Sequence, residues 1–289
     1  MWVQLVVAGV AHGILYALVA LAMTVVWRAT SLVNFGHGDL VMGGAFVVYV
    51  FVIRLGIPYV PAVILGLVVL FAVGVAIQRT LIQPIMMAPH LVLAMMAIAV
   101  GYTIRGVARS VWARDVLPFP SVFPRQHFEI GGVIVTAEDL TVVTVVLALM
   151  AAFFVVFHLS SVGRLIQAVF QSQRGAALVG LNVGAFHNAM WGTGALMAAL
   201  GGALLAPITL LYPDMSAWVL MRGFAAMTLG GFGSLHGAVI GGILLGIMEN
   251  LVGGYVSTSL IEITAYLVII GVLLIRPTGL FGTRITVRV

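Results

Sequence analysis

The chain has 289 residues, of which 63% are hydrophobic and only 7% are charged. A soluble domain has about a quarter of its residues charged, so the composition excludes one and predicts an integral membrane protein. The formal net charge is +5, and all its positive charges are arginines, because lysine is absent. Cysteine is absent as well. The absence of these two residue types excludes Schiff-base chemistry on lysine, disulfides and thiolate metal sites.

Apolar runs of helical composition follow one another along the chain. They cover residues 3–27, 40–53, 59–77, 91–108, 140–158, 185–211, 218–229, 238–252 and 263–275. We interpret the first run as a span and not as a cleaved signal, because it has no basic start. The runs at 40–53 and 218–229 are shorter than the about 20 residues of a straight crossing, which is typical of broken or re-entrant helices. The sequence predicts one all-α domain over residues 1–289, a polytopic transmembrane helical bundle of eight or nine membrane segments.

Two polar stretches separate these runs in the first half of the chain. Residues 78–90 contain Arg79, Pro84 and Pro89, which are expected to break the helical pattern. Residues 109–139 carry prolines, charges of both signs and the pair Gly131–Gly132. We expect an aqueous loop there, with a turn at the two glycines.

The most informative polar stretch is residues 159–184, between two long spans. Its apolar residues recur at helical spacing and form one stripe: Val162, Leu165, Ile166, Val169 and Phe170. A polar stripe lies on another face: Arg164, Gln167, Gln171 and Arg174. Ser160 or Ser161 is expected to cap the helix, Gly175 to interrupt it, and a second piece at 176–179 to end at Gly180 in the left-handed conformation.

The pattern of this 159–184 element leaves two interpretations open. It is either an amphipathic helix lying on the membrane surface or a docking element for a soluble partner. The residues assigned to it as candidate site residues are Gly163, Arg164, Leu165, Ile166, Gln167, Ala168, Val169, Phe170, Gln171, Arg174, Ala176, Ala177, Leu178, Gly180, Leu181 and Asn182.

Polar residues at or inside the spans form a second group of candidates. Glu249 and Asn250 lie within an apolar run, and Asp39 lies at the start of another. Because carboxylates in membranes are costly and usually face the bundle interior, these residues either line a pathway or bond to neighbouring helices. Asn34 and His37 either share a helix face or, for Asn34, shape the turn that precedes the helix.

Arginine distribution predicts the orientation of the chain in the membrane. With residues 159–184 inside, the predicted cytoplasmic arginines are Arg28, Arg79, Arg164, Arg174, Arg276, Arg284 and Arg288. The N-terminus and residues 109–139, with Arg114 and Arg125, are then outside, and the C-terminus is cytoplasmic. Arg54 and Arg222 are exceptions to this positive-inside distribution.

The chain shows none of the common signatures of catalysis. Its seven histidines are scattered without metal-ligand spacing, and no phosphate-binding loop or nucleophile elbow is present. We therefore expect no enzyme activity, no metal and no cofactor. We interpret the excess of arginine as a topology signal and expect no binding of nucleic acid. Glycines four apart, as in Gly233-Gly237-Gly241 and Gly242-Gly246, predict close helix packing.

Four stretches together resemble one family, the LivH-like permease subunits of branched-chain amino-acid ABC importers. They are residues 32–39 (LVNFGHGD), 176–182 (AALVGLN), 229–238 (LGGFGSLHGA) and 276–282 (RPTGLFG). They occur in the family's order and spacing over nearly the whole chain.

The resemblance implies a permease of the bacterial inner membrane for branched-chain or related amino acids, or for urea-like or amide-like solutes. It implies a second homologous permease, two cytoplasmic ATP-binding subunits that hydrolyse ATP, and a periplasmic or lipid-anchored solute-binding protein. Residues 159–184 then become the coupling loop that contacts an ATPase. The segment from Gln171 to Arg174 departs from the family because it has no acidic residue. The alternative class is an ion-driven secondary transporter or channel, which would need carboxylates deep in several spans.

Overall fold

The structure, a computed structural model, describes residues 2–113, 115–119, 126–130 and 132–282. Within these ranges the α-helices are α1 (Trp2–Thr30), α2 (His37–Tyr49), α3 (Tyr59–Ile77), α4 (His90–Trp112), α5 (Ala137–Leu159), α6 (Ser161–Gln171), α7 (Gln173–Leu178), α8 (Val183–Thr209), α9 (Met215–Gly230), α10 (Leu235–Tyr255) and α11 (Ile261–Ile275). The strands β1 (His127–Ile130) and β2 (Val133–Thr136) form one antiparallel hairpin. Arg114, Arg125, Arg284 and Arg288 lie outside the described residues, as does Gly131.

Eight helical stretches of the described chain are long and apolar enough to cross a membrane. They are Trp2–Thr30, His37–Arg54, Tyr59–Ile85, His90–Trp112, Ala137–Leu159, Val183–Thr209, Leu235–Tyr255 and Thr258–Ile275. The prediction of an all-α polytopic bundle is confirmed. The predicted short segment at 218–229 is α9, whose 16 residues extend only about 24 Å.

The short second segment starts deep inside the bundle. The α-helix α2 has only 13 residues, and a π-helical turn, Val50–Arg54, prolongs it. A Cβ added to Gly36, the residue before α2, would overlap the backbone of Ala97 and lie 3.2 Å from Gly101. Gly101 is the central residue of α4, so α2 begins level with the middle of a full-length span.

The third predicted run ends at residue 77, as α3 does, and the helical path ends within the predicted stretch 78–90. After α3 the helix continues as a π-helical turn, Gln78–Ile82, and a 3-10 turn, Gln83–Ile85. Pro84 is accommodated because it lies in the first turn of the 3-10 segment, where its missing N–H is not needed. The chain leaves the helical path before Pro89, which precedes α4.

The expected loop at 109–139 contains regular structure that the sequence analysis missed. His127 pairs with Thr136 and Ile130 with Val133, so a two-residue connection joins the strands. Gly132 has φ +78°, which fits the expected turn at this position. The Thr136 hydroxyl then accepts a hydrogen bond from the Asp139 N–H at 3.0 Å and starts α5.

The described residues group into two compact units, each built from discontinuous segments. The terminal unit draws on the described residues within 1–24, 121–144 and 217–289, and the central unit on those within 25–120 and 145–216. The prediction of a single domain over 1–289 stays a prediction.

Small residues bring helices together in the terminal unit. A Cβ on Gly13 would lie 2.8 Å from the Cα of Ile243, and one on Gly9 would lie 2.7 Å from the Cα of Ile247. Since residue numbers on α10 rise as those on α1 fall, the two helices are antiparallel. Gly237 and Gly241 press on the end of α9, so α10 packs closely on two sides. This confirms the close packing that the glycine spacing predicted.

Opposite ends of the terminal unit carry different parts of the chain. At the start of α1, the Gln4 side chain exchanges two 2.8 Å hydrogen bonds with the backbone of Ile134 in β2. At the end of α9, Leu280 and Phe281 donate backbone hydrogen bonds of 2.9 Å to Leu229 and Gly230. The start of α1 and the hairpin therefore share one end, and residues 276–282 lie at the other.

Candidate functional site: a surface helix pair and two buried ion pairs

The 159–184 element consists of two short helices, α6 and α7, that meet at Ser172. Ser160 caps α6 by accepting a hydrogen bond from the Gly163 N–H at 2.9 Å, and Ser172 caps α7 through Gly175 at 3.0 Å. The predicted cap at Ser160 is confirmed. The predicted interruption at Gly175 is wrong: the break is at Ser172, whose extended backbone (φ −156°) ends α6. Its hydroxyl can start a new helix there, which glycine cannot do.

Gly180 ends the second helix as predicted. Its φ is +87°, and its N–H donates to the carbonyl of Ala177 at 3.0 Å. The N–H of Leu181 donates to the carbonyl of Ala176 at 3.0 Å. This pair of bonds is a Schellman motif, which favours glycine at the left-handed position. Asn182 then caps α8 by accepting from the Ala185 N–H at 2.9 Å.

The inner side of the element is fastened to the bundle by side-chain bonds to backbone carbonyls. Gln167 donates to the carbonyl of Phe157 at 2.6 Å, at the end of α5. Gln173 donates to the carbonyl of Ala29 at 2.8 Å, at the end of α1. A Cβ on Gly163 would overlap the carbonyl oxygens of Val156 and Phe157. The element is therefore held in one position on the central unit.

Phe170 belongs to this inner side. Its ring centre lies 6.1 Å from that of Phe157 and 5.6 Å from that of Phe186, and the Arg28 guanidinium lies over it at 4.6 Å. Phe170 is half-buried against its own chain, so it anchors the element to three helix ends.

The predicted apolar stripe divides between two environments. Ile166 and Val169 are buried in the bundle, whereas Val162 and Leu165 are about half exposed, at 57% and 49%. Beyond α7, Leu178 and Val179 are 88% and 77% exposed. The other residues assigned to the element follow the same division: Arg164, Ala168, Gln171, Arg174, Ala177, Gly180 and Asn182 are exposed, and Gly163, Gln167, Ala176 and Leu181 are buried or half-buried.

Asn34 and His37 turn the chain into α2. The Asn34 side-chain oxygen accepts a hydrogen bond from the Gly36 N–H at 3.0 Å, so Asn34 shapes the turn. His37 is fully buried as the first residue of α2, and within the described residues neither ring nitrogen has a hydrogen-bond partner.

Asp39 forms a buried ion pair with Arg105 of α4. Arg105 Nε lies 2.9 Å from Asp39 Oδ1, and Arg105 Nη2 lies 3.2 Å from Oδ2. Two different nitrogens thus satisfy two different oxygens, which is the strong bidentate geometry. The carboxylate also lies in the first turn of α2, where the helix dipole favours negative charge.

Glu249 forms a second buried ion pair, with Arg222 of α9. Arg222 Nε lies 2.9 Å from Glu249 Oε1 and 3.0 Å from Oε2, so one nitrogen meets both oxygens. The Tyr16 hydroxyl donates to Oε2 at 2.9 Å. The guanidinium lies 5.0 Å from the ring centre of Trp218 and 5.7 Å from that of Tyr16.

Asn250 faces a different neighbour from Glu249. Its amide nitrogen lies 3.3 Å from Nδ1 of His12 and donates to the Gly246 carbonyl at 2.9 Å. It therefore links α10 to α1 beside the ion pair.

Sequence reasoning missed the partners Arg105, Arg222 and Tyr16. A signal was available for both arginines, because Arg105 lies inside a predicted span and Arg222 violates the positive-inside pattern. A buried arginine needs a carboxylate partner. Which carboxylate it meets depends on helix packing and could not be read from the sequence.

Helices that cross a membrane, charges buried between them and an amphipathic element fixed at the surface define a polytopic membrane transport protein. The chain matches, over residues 5–276, the model of a family described as branched-chain amino acid transport system / permease component. It belongs to this family, as the resemblance predicted, and is a multi-pass permease component of the inner membrane.

Individual relatives match over almost their whole length. The high-affinity branched-chain amino acid transport system permease protein LivH of Escherichia coli K12 is 31% identical over 288 residues, which cover 95% of this chain and 93% of that protein. The corresponding permease protein BraD of Pseudomonas aeruginosa is 26% identical, with 97% and 96% covered. A probable branched-chain amino acid transport permease protein LivH of Methanocaldococcus jannaschii is 25% identical, with 93% and 89% covered.

A solved structure is similar in fold. PsaBC from Streptococcus pneumoniae in complex with Fab matches with a TM-score of 0.51 and 14% identity, covering 94% of this chain and 91% of that chain. At this identity the similarity concerns the fold alone.

Proposed function

We propose that this chain is the membrane-spanning permease subunit of an ATP-driven importer for branched-chain or related amino acids, urea-like and amide-like solutes being the other candidates. It works with a second homologous permease, two cytoplasmic ATP-binding subunits that hydrolyse the ATP, and a solute-binding protein that is periplasmic or lipid-anchored. The chain itself is not an enzyme. The E. coli and P. aeruginosa relatives, both permease proteins of high-affinity branched-chain amino acid transport systems, support this proposal.

The coupling role is inferred from the difference between the two sides of the 159–184 element, one fixed to the bundle and one exposed. One side is fixed by Gln167, Gln173 and Phe170, so the element can transmit force. The other side leaves five large apolar side chains uncovered: Leu159, Val162, Leu165, Leu178 and Val179. A fixed helix with uncovered apolar anchors is what a helix-in-groove interface requires.

An ATPase groove suits this surface better than lipid tails do. Exposed Arg164 and Arg174 are on the same short element as the apolar side chains. Protein interfaces combine an apolar centre with a polar rim, whereas a surface buried in lipid tails would not tolerate the charges. Docking therefore relies on apolar contacts, in keeping with the absence of an acidic residue between Gln171 and Arg174.

The proposed orientation places the N-terminus outside and the C-terminus in the cytoplasm. It draws support from the terminal unit, where the start of α1 and the hairpin share the end opposite to residues 276–282. We expect reporter fusions at Gln126 and after Val289 to report outside and cytoplasmic locations, respectively. A cytoplasmic signal at Gln126 would overturn this orientation.

Leu178→Ser tests the docking surface. The side chain is 88% exposed, so its loss costs the isolated permease little. We expect normal insertion, a loss of about 2 kcal/mol in ATPase affinity if Leu178 is a hot spot, poor co-purification of the ATPase subunits and reduced uptake. Met87→Ser, which alters a fully exposed residue outside the element, is the matched control. Wild-type co-purification and uptake with Leu178→Ser would remove this surface from its proposed role.

Phe170→Ala separates anchoring from docking. The ring packs against Phe157, Phe186 and Arg28, so its loss should loosen the element and lower the free energy of unfolding by about 2 kcal/mol. The expected result is a lower unfolding temperature of the permease together with weaker ATPase binding. Unchanged stability with lost docking would instead make Phe170 a direct contact of the ATPase.

A further inference from the structure

The ion pair in the terminal unit lies at the centre of a span. Tyr16, which donates to Glu249, is the middle residue of the 29-residue helix α1. Glu249 itself is only 2% exposed. The cluster therefore lies near the middle of a membrane-spanning helix, where ionisable residues often mark a solute pathway.

Stability alone does not explain these charges. A buried ion pair gains little over packed apolar residues of similar size, because both charges must leave water. Ionisable residues inside the membrane therefore suggest a functional role by default. The sequence leaves a pathway role open for Glu249, and the structure adds its partners Arg222 and Tyr16.

The geometry of the pair favours exchange. Arg222 Nε lies 2.9 Å from one oxygen of Glu249 and 3.0 Å from the other, so a single nitrogen is shared between the two oxygens. Its guanidinium is also within reach of two aromatic rings, those of Trp218 and Tyr16. Attraction to aromatic rings partly stabilises a cation when its carboxylate partner moves away.

We propose that Arg222 and Glu249, with the rings of Tyr16 and Trp218, form a transit site for a zwitterionic α-amino acid. The ion pair opens, Arg222 takes the carboxylate of the solute, and Glu249 takes its ammonium group. The aromatic rings contact the apolar side chain of the solute. This inference rests on the proposed function, because it assumes that the importer carries amino acids.

Charge balance selects the class of solute. When a zwitterion inserts between Arg222 and Glu249, both buried charges stay paired. A lone cation or anion would leave one of them unpaired, which is costly in a buried site. An uncharged amide would replace neither ionic contact. The site therefore favours zwitterions over urea-like and amide-like solutes.

The test compares two neutral double variants in the reconstituted importer with its partner subunits and binding protein. Arg222→Gln with Glu249→Gln removes the proposed site without leaving an unpaired charge. Arg105→Gln with Asp39→Asn does the same to the other ion pair and is the matched control. Uptake of radiolabelled leucine is measured per folded complex, and leucine uptake by the wild-type complex tests the proposed function separately.

We expect both double variants to fold, because each replaces a charge pair by a neutral pair. Leucine uptake per folded complex should fall about tenfold or more only in the Arg222/Glu249 variant, as expected for losing charge-assisted bonds to the solute. Wild-type uptake in that variant overturns the proposal. Equal losses of uptake in both variants also overturn the proposal, because removal of either buried ion pair then has the same effect. Failure of wild-type leucine uptake refutes the amino-acid assignment and, with it, this site.

Glu249→Asp keeps the inference testable if the double variant does not accumulate. Aspartate keeps the negative charge, but its side chain is one methylene shorter, so the carboxylate lies farther from the proposed solute position. We expect KM for leucine to rise severalfold while the maximal rate per folded complex is retained. A maximal rate that falls in step with the folded fraction, at unchanged KM, assigns the pair to structure and overturns the proposal.

Discussion

The two buried ion pairs of this permease have the same charges and different geometries. Asp39 and Arg105 meet through two separate nitrogen–oxygen contacts, and the carboxylate is wedged against Gly101, where an added Cβ would lie 2.5 Å from Oδ2. Glu249 meets one nitrogen of Arg222 and a hydroxyl of Tyr16. The first pair locks the inner end of a short helix, whereas in the second one arginine nitrogen is shared between both carboxylate oxygens.

The difference shows that burial of an ion pair does not by itself indicate its role. Both carboxylates are almost inaccessible, at 3% and 2% exposure. What distinguishes them is which donors meet the carboxylate and how tightly it is packed. Asp39 accepts from two nitrogens of Arg105 and is packed against Gly101, whereas Glu249 shares one nitrogen of Arg222 and accepts from the Tyr16 hydroxyl. Aromatic rings lie beside both arginines, since Arg105 is 5.0 Å from the ring centre of Tyr102 and Arg222 is 5.0 Å from that of Trp218.

The largest expected effect is on the locked pair. Asp39→Asn leaves the Arg105 guanidinium buried without its counter-charge and should lower the free energy of unfolding by about 3–5 kcal/mol. Thermal unfolding of the purified permease measures this loss. Glu249→Gln should cost less, because Tyr16 can still donate to the amide oxygen. Equal costs for the two substitutions would break the comparison.

A smaller effect is expected at the glycine that receives Asp39. In Gly101→Ala the new methyl group meets Asp39 Oδ2 and the Cα of Gly36, at 2.5 and 2.8 Å. We expect a loss of about 1–3 kcal/mol in stability, since α2 must move away from α4. Gly106→Ala is the control on the same helix, because nothing lies within 4 Å of its added Cβ. An equal response of the two variants would show that the Asp39 pair is not tightly packed.

The smallest expected effect concerns the pair of Glu249 and Arg222. Tyr16→Phe removes the hydroxyl that donates to Glu249 and keeps the ring beside Arg222. The free energy of unfolding should fall by about 1 kcal/mol, the contribution of one hydrogen bond. Tyr266→Phe, on the exposed side of α11, controls for loss of a hydroxyl. A loss as large as that of Asp39→Asn would mean that Tyr16 is essential to the pair.

Local features were largely predictable from the sequence. Ser160 and Gly180 act within one turn of their own helix, so residue type and position sufficed to predict the cap and the stop. Ser172 was missed because an N-cap in the middle of a periodic apolar pattern resembles continued helix. The hairpin at 127–136 was missed because its strands are only four residues long.

The sequence by itself determined that this chain is an all-α membrane protein, where its spans lie and to which family it belongs. These properties depend on composition, on helical spacing and on motifs of consecutive residues. Only the tertiary structure decided that Glu249 meets Arg222 and Tyr16, that Asp39 meets Arg105, and that the stripe of α6 is half covered by its own chain. Such contacts join residues up to 233 positions apart. They depend on which helices pack together and at what depth, and an amphipathic pattern shows that a face will be buried without showing what will cover it.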